Sequence, residues 1–170
     1  MRKVPSALPA FVLAVIFLFS GCGKSASQKS FTPQKSFSVH MSGDKGGKLF
    51  ETDIVCSSPN KIKISFTYPE ELSGFTVESA EGGYDINIFG IIDSITKEEL
   101  QNDSLLNILF STLKKTVYGN EVNFSADENG FSATAVIDSI PVSVSFSEDG
   151  IIQSMSVPSI DFSAEFHLNG

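Results

Sequence analysis

The sequence predicts an α+β fold of mainly antiparallel strands: a curved sheet of about ten strands, a half-barrel, wrapped around one mid-chain helix. From Phe37 onward apolar and polar residues largely alternate, which is the period of a strand with one buried face. Turn-forming residues interrupt this alternation at short intervals. One segment, 105–117, instead has apolar residues at helical spacing. Because a sheet must bury its apolar face, this helix is its natural cover.

The N-terminal segment has the features of a secretory signal. A positively charged start and an apolar stretch, 4–19, precede Ser20-Gly21-Cys22. The dense part of that stretch is shorter than the roughly 20 apolar residues that a bilayer crossing needs. We therefore predict a secretory signal peptide over 1–21.

The end of this segment resembles the lipobox of bacterial lipoproteins. The resemblance implies that a diacylglyceryl group is attached to the sulfur of Cys22, and that Cys22 is the first mature residue. Two acyl chains hold a protein stably to a membrane, at about 0.8 kcal/mol per buried methylene, whereas one holds it marginally. An ordinary cleaved signal with an incidental cysteine and an uncleaved N-terminal helix are the alternatives.

Charge divides the remaining chain into a linker and a domain. Residues 22–36 are predicted to be the lipidated cysteine and a flexible linker rich in Ser and Lys, and 37–170 to be the β domain. Residues 23–36 carry +3, whereas the rest holds all 20 acidic residues against seven lysines, a charge of −13. Nucleic acid repels such a domain, so we expect no nucleic-acid partner. Its expected location is the extracytoplasmic face of the cell membrane, through the lipid on Cys22.

The alternation predicts five strands before the helix and five after it. The clearest is 61–68, in which Ile62, Ile64, Phe66 and Tyr68 share one face. The predicted strands lie near 37–42, 48–56, 61–68, 75–80, 84–91, 120–126, 131–138, 141–147, 151–157 and 159–167.

The helix is predicted over 97–118. Thr96 and Glu99 have the spacing of a capping box at its start, and Asn102 or Asp103 could cap a second start. Gly119 suits the position just after its C-terminus.

The domain resembles the LolA-like and LppX/LprG-like lipoprotein carriers over 37–168. The points of contact are the three opening strands, the 68–75 connection (YPEELSGF), the mid-chain helix, and the closing meander with its 150–152 segment (GII). The resemblance implies an unclosed β-barrel lidded by helices over an apolar cavity. It also implies a lipoprotein that holds an acyl chain or another protein's lipid moiety. Arg2 is the only arginine, so the arginine that typically gates lid opening in the LolA carriers has no counterpart here.

Apolar residues on the inner face of the predicted sheet and on the helix are candidates for lining a ligand cavity. The alternative is that they form a closed, dry core. They are Phe66, Phe75, Leu106, Leu109, Leu113, Phe124, Phe146 and Phe162, with Phe131 and Phe166 beside them.

Residue types that carry chemistry are few and scattered. Cys56 stands alone in a strand pattern and is expected to be a small buried hydrophobe. His40 and His167 fall on the polar faces of their strands, are expected to be solvated, and do not have the spacing of a zinc site. The acidic pairs lie in turns or at the helix start. We therefore expect no catalytic residue, no metal and no cofactor.

Two functional hypotheses follow. The first is a membrane-anchored, non-enzymatic lipoprotein that binds or carries a lipid or another apolar ligand in the half-barrel. The alternative is an anchored structural or protein-interaction module with a closed core and no ligand. An enclosed apolar cavity of a few hundred cubic ångströms would favour the first. A filled core with an exposed apolar patch would favour the second.

Overall fold

The computed structural model describes residues 31–101, 104–120 and 122–169, and these confirm the predicted fold class. They form one open sheet of eleven antiparallel strands and one α-helix. The predicted signal peptide, the predicted lipidation site Cys22 and the linker up to residue 30 lie outside the described residues. Within the described ranges, no helix is both long and apolar enough to span a membrane.

The strands are β1 (Phe37–Lys45), β2 (Lys48–Ser58), β3 (Lys61–Tyr68), β4 (Phe75–Ala80), β5 (Gly83–Ile88), β6 (Ile91–Thr96), β7 (Ser125–Asp127), β8 (Gly130–Ile137), β9 (Ile140–Phe146), β10 (Ile152–Val157) and β11 (Phe162–Leu168). The helix α1 (Leu105–Leu113) continues directly into a π-helical turn, Lys114–Tyr118. Short 3₁₀ turns occupy Glu70–Leu72 and Pro158–Ile160.

The sheet consists of two meanders joined through the first and last strands. Its order is β6-β5-β4-β3-β2-β1-β11-β10-β9-β8-β7. Met41 of β1 lies opposite both Thr52 of β2 and Phe166 of β11, so β1 is the shared central strand. The chain crosses from the edge strand β6 to the edge strand β7 through α1, which places the helix between the two free edges.

The core lies between α1 and the inner face of the sheet, the face that carries Val39, Ile54 and Ile64. Those three side chains have no exposed surface, and Leu109 and Leu113 of α1 have none either. The helix and the inner face belong to one apolar cluster. A helix that is apolar on nearly all sides needs burial on nearly all sides, and the curved sheet provides it.

One glycine of the central strand is covered by an aromatic ring. Gly43 lies opposite Phe50 in the β1–β2 register, and a Cβ at position 43 would come within 2.5 Å of the Phe50 ring. The ring fills the space that the missing side chain leaves, a known way of supporting glycine in a sheet.

The predicted strand 84–91 is wrong, because the chain turns back within it. Phe89 and Gly90 form a two-residue turn between β5 and β6, with φ of 51° and 90°. Asn87 Oδ1 accepts from the N–H of Gly90 at 2.8 Å, but the first turn position is occupied by the apolar Phe89, so the apolar pattern continues through the turn. The division of this segment raises the strand number from about ten to eleven.

The predicted start of the helix is also wrong. Thr96 N–H donates to Glu99 Oε2 (2.7 Å) and Glu99 N–H donates to Thr96 Oγ1 (3.3 Å), but these bonds close a turn after β6. The actual N-cap is Ser104, whose Oγ accepts from the N–H of Asn107 at 3.2 Å. The other predicted caps, Asn102 and Asp103, lie outside the described residues.

Gly119 follows the helical segment as predicted, but for a different reason. Its backbone is extended, with φ of −76°, rather than left-handed. Its N–H donates to the carbonyl of Lys115 at 3.1 Å, and a Cβ would lie 2.3 Å from that oxygen. The close approach of the two backbones therefore requires glycine.

The last part of the predicted linker lies against the domain. The ring of Phe31 stacks on that of Phe131, with centroids 4.1 Å apart. Gln34 N–H donates to the carbonyl of Gly150 at 2.8 Å. Tyr118 Oη donates to the carbonyl of Lys35 at 2.6 Å.

We expect Phe66→Ala to lower the free energy of unfolding by about 3–5 kcal/mol, as for a large side chain removed from a filled core. Phe66 is 8% exposed and its ring lies 5.4 Å from that of Phe75. Urea denaturation measures the change. The matched control Phe89→Ala, at a site 71% exposed, should shift stability by no more than about 0.5 kcal/mol. A loss below about 1 kcal/mol at Phe66 would indicate a ligand cavity in place of a core.

Candidate functional site

Most of the predicted aromatic lining residues fall into two clusters toward opposite ends of the strands. The first cluster comprises Phe31, Phe124, Phe131 and Phe146, at the end of the sheet where β1 begins. Phe124 and Phe146 meet edge to face with centroids 5.6 Å apart. The second cluster comprises Phe50, Phe66, Phe75 and Phe162. The rings of Phe50 and Phe162 stack at 6.2 Å. In both clusters the aromatic rings pack against one another and fill the space that a ligand would need.

The helix leucines complete this packing. Leu109 and Leu113 have no exposed surface, and Leu106 is half-buried. Among the cavities on the described part of the molecule are four of about 240 to 570 Å³. Of the eight predicted lining residues, those four cavities reach only Phe124, in the 240 Å³ cavity. Ligand lining therefore stays a prediction for these residues, and the packing favours the closed-core hypothesis.

The largest of these four cavities measures about 570 Å³ and has walls of mixed character. Ser42, Glu51 and Glu165 contribute hydroxyl and carboxylate groups, whereas Leu49 and Met155 contribute apolar surface. The cavity is open to solvent, whereas an acyl chain needs an apolar enclosure.

Two hydroxyl groups in the core are unusual. Thr52 Oγ1 and Thr112 Oγ1 are fully buried and have no hydrogen-bond partner among the described residues. Thr52 lies on β2 beside Met41, and Thr112 lies on α1. A buried polar group without a partner costs about 1–3 kcal/mol, so each is a weak point in the seam between helix and sheet.

Cys56 is buried, as predicted from its place in a strand. It is 1% exposed and forms no disulfide. Burial raises the pKa of its thiol to about 12, so the nucleophilic thiolate is absent at neutral pH.

The two histidines lie side by side, which the sequence did not reveal. His40 of β1 is directly opposite His167 of β11. The Nδ1 of His40 lies 3.0 Å from Asp53 Oδ1, and its Nε2 lies 3.6 Å from Glu51 Oε2. His40 is thus held between two carboxylates rather than freely solvated. Even so, no three His, Cys, Asp or Glu side chains in the described ranges are placed to hold a metal ion.

The acidic pairs are all on the surface. Glu70-Glu71 lies in a 3₁₀ turn, and the other pairs lie in turns between strands or before the helix. Hydrogen bonds from the N–H and the hydroxyl of Thr96 lower the pKa of Glu99. General acid catalysis at neutral pH needs a raised pKa in a pocket, the opposite of what Glu99 shows.

The inner face of β4, β5 and β6 extends beyond the cover of the helix. We use the name open apolar end for the exposed apolar side chains around the tip of the β5–β6 hairpin: Leu72, Ile88, Phe89, Ile91 and Ile92. Ile88 and Ile91 lie on the inner face, and Ile92 lies on the outer one. Their exposed fractions run from 39% for Leu72 to 75% for Ile91. The Phe89 ring approaches Gly74, whose Cβ position would lie 3.6 Å from it, so the patch joins the turn after β3 to the tip of the β5–β6 hairpin.

The turn at the tip carries an unexpected residue. Both central residues have positive φ, as a type I′ turn requires, and that turn favours Asn, Asp or Gly at its first position. Phe89 occupies this position although a bulky residue at positive φ is strained. Sequence reasoning missed the site, but the run Ile88-Phe89-Gly90-Ile91-Ile92 is a detectable signal, since exposed apolar runs are otherwise selected against.

We expect the Cys56 thiol to resist a disulfide reagent in the folded protein at pH 8 and to react once urea unfolds the chain. The unfolded thiol ionises near its ordinary pKa of 9.0, whereas the folded one keeps its proton up to about pH 12. The folded state thus binds more protons in this interval, and stability falls as pH rises through it, by up to about 1.4 kcal/mol per pH unit. A Cys56→Ala variant should lack the part of this pH-dependent loss of stability that is due to the thiol. Cys22 is kept in the same form, lipidated or replaced by serine, in the variant and in the reference protein. An equal alkaline slope in both proteins would contradict the assignment.

Comparisons with known proteins give structural likenesses only. No family model matches the sequence, and no curated protein matches it. A LolA superfamily protein from Nitrosomonas europaea is similar over 80% of this chain and 66% of its own, with 12% identity and a TM-score of 0.39.

Two further structures are similar to a comparable degree. One is a chain of the complex between the CwlD amidase of Clostridioides difficile and the GerS lipoprotein, at 12% identity and a TM-score of 0.41, covering 92% of this chain and 89% of that one. The other is the Mycobacterium tuberculosis lipoprotein LppX, at 16% identity and a TM-score of 0.40, covering 79% and 85%. At these TM-scores the likeness concerns the general architecture and says nothing about ligands or partners.

Proposed function

We propose that this protein is a membrane-anchored lipoprotein on the extracytoplasmic face of the cell membrane, and that it acts there by docking a protein partner. The lipid on Cys22 is the anchor, and the open apolar end is the docking surface. The observation that carries this proposal is the contrast between a filled core and five exposed apolar side chains at one end of the sheet.

Binding rather than catalysis suits the groups that the domain offers. The only thiol among the described residues is buried and protonated. His40 is engaged by the carboxylates of Asp53 and Glu51. Efficient acid–base or nucleophilic catalysis depends on groups gathered in a pocket with shifted pKa values.

The open apolar end has the features of a surface kept for function. Two features of Phe89 lower the stability of the folded protein: its apolar side chain is exposed, and its backbone is in a left-handed conformation. Strain of this kind persists where it serves function. Contiguous exposed apolar patches of this sort mark interaction sites.

The edge strand β6 indicates how a partner would bind. Among the described residues it pairs only with β5, so its outer backbone groups are free to take an added strand. Ile91 and Ile95 point to the inner side, with Asp93 between them. A fitting partner is an extended segment with two apolar side chains on that face and a basic residue between them.

Two other occupants fit this end less well. A second copy would bring the same Asp93 and the same charge of −13 over 37–170, and like charges repel. The anchoring bilayer would meet the same Asp93 and the same negative charge, which anionic lipids at a membrane surface repel.

Lipid carriage is the second candidate, and the lone hydroxyls favour it. Thr52 of β2 and Thr112 of α1 each bury an unpartnered hydroxyl in the core, which lowers the cost of opening the core to admit an acyl chain. Against this stands the complete burial of Leu109 and Leu113, which such a movement would expose.

The anchor is tested by metabolic labelling with a fatty-acid analogue. We expect the wild-type protein to take up label and to sediment with membranes, and Cys22→Ser to do neither, because the thioether that carries the lipid cannot form. The conservative variant Cys56→Ser is the control and should be labelled normally. Label on Cys22→Ser would show that the lipidation assignment is wrong.

The docking surface is tested by a photo-crosslinking residue placed at Ile91 in living cells. We expect an adduct with one other protein, whose mass spectrum identifies it, and no such adduct from the same residue at Val55, an exposed apolar position on β2. Phe89→Asn should abolish the adduct. It should also raise the free energy of unfolding by about 0.5–1 kcal/mol, since asparagine suits the turn.

Three outcomes would count against protein docking: a phospholipid adduct, an adduct between two copies of this chain, or an equal adduct from Val55. The first would point to lipid carriage instead.

A further inference from the structure

We infer that the cavity between α1 and the β8–β9 turn is a binding site for a phosphate group or a similar oxyanion. It has a volume of about 400 Å³. Its walls are Lys97, Ser111, Lys114, Lys115, Val136, Ile137 and Asp138. It lies beside the gap between the two sheet edges, where the chain leaves β6 and the helix meets β8. The inference rests on other residues than the docking proposal and is independent of it.

Positive charge is concentrated here in an otherwise acidic domain. Three of the seven lysines that follow residue 36 line this one cavity, although acidic residues outnumber lysines there by 20 to seven. Asp138 is the single acidic residue among the walls, which leaves the cavity a charge of +2.

Among the described residues, no carboxylate forms an ion pair with these lysines. The ion pairs among the described residues are those of His40 with Glu51 and Asp53. None of the three ammonium groups therefore has a described carboxylate within 4.0 Å. Burial first, and then the charge of Lys97, lower the pKa of Lys114. The grouping is thus unfavourable without a ligand, and an anion would relieve it.

The neighbouring contacts hold the site in shape without using up its donors. Asp138 Oδ2 accepts from Asn107 Nδ2 at 3.2 Å, which fixes the carboxylate to the helix. Lys115 Nζ donates one of its three hydrogens to the carbonyl of Val136 at 3.1 Å. Lys114 Nζ lies 5.6 Å from the centre of the Tyr84 ring. The remaining ammonium hydrogens are available to oxygen atoms of a ligand.

The chemistry of these groups selects the class of ligand. Lysine ammonium groups act as point charges toward phosphate oxygens and do not impose the planar geometry of arginine. A free phosphate compound and the phosphate of a lipid headgroup share this chemistry. The two sources are separated by experiment.

The test uses the full chain in a neutral detergent at low ionic strength, where screening is weak. One arm titrates inorganic phosphate and follows its ³¹P line width. The other titrates short-chain phosphatidylglycerol below its critical micelle concentration in the same way. We expect at least one probe to saturate a single site, and Lys97→Gln/Lys114→Gln to weaken that binding about tenfold. The probe that binds identifies the source.

The control is Lys61→Gln/Lys63→Gln, which removes the same charge from exposed positions on β3 and should leave the affinity unchanged. The single variant Lys97→Gln, at an exposed side chain, repeats the test with little risk to folding. The inference is overturned if neither probe saturates, or if the two double variants bind alike, since general charge attraction would then explain the result.

Discussion

The burial of α1 within the curved sheet is the contact on which the rest of the structure depends. The helix is apolar on nearly every side, and the eleven strands are apolar on one side, so neither is stable in water without the other. The helix and its π-helical turn together are about 21 Å long, from 14 residues at 1.5 Å each. That length covers the middle of the inner face and leaves the hairpin end bare. The open apolar end is thus a direct consequence of a short cover over a wide sheet.

Those parts of the fold that burial determines could be predicted from the sequence. The alternation over 61–68 and the helical spacing after Leu105 both follow from which side chains reach the core. Prediction failed at the start of the helix and at the β5–β6 turn, where individual hydrogen bonds and turn residues set the ends of the elements. The Thr96–Glu99 hydrogen bonds form as in a capping box, yet the helix begins only at Leu105. The segment before Leu105 lacks apolar residues at helical spacing, so a helix there would have no apolar face to bury. The hairpin at Phe89 was missed because its turn residue is an aromatic one.

The candidate sites were harder to predict, since they depend on strands and helices that are distant in the sequence. Burial of Cys56 followed from its own strand. The pairing of His40 with His167, in contrast, exists only because the first and last strands are neighbours. The lysine cavity likewise needs the end of β6 and the last turns of the helix in one place. No local sequence pattern predicts which distant residues come together. The net charge of the domain does not indicate that these lysines are clustered.

Both proposed sites break a local rule at a tolerable cost. A left-handed phenylalanine costs about 1 kcal/mol, against a total stability that is typically 5–15 kcal/mol. The two sites are also linked by the chain itself, because β6 begins at the hairpin tip and ends one residue before Lys97. An added partner strand of about six residues along β6 would extend some 20 Å, from the tip to the rim of the lysine cavity. The partner and the anion would then share one edge of the sheet. If binding of the partner changes the affinity for the anion, binding of the anion changes the affinity for the partner by the same factor.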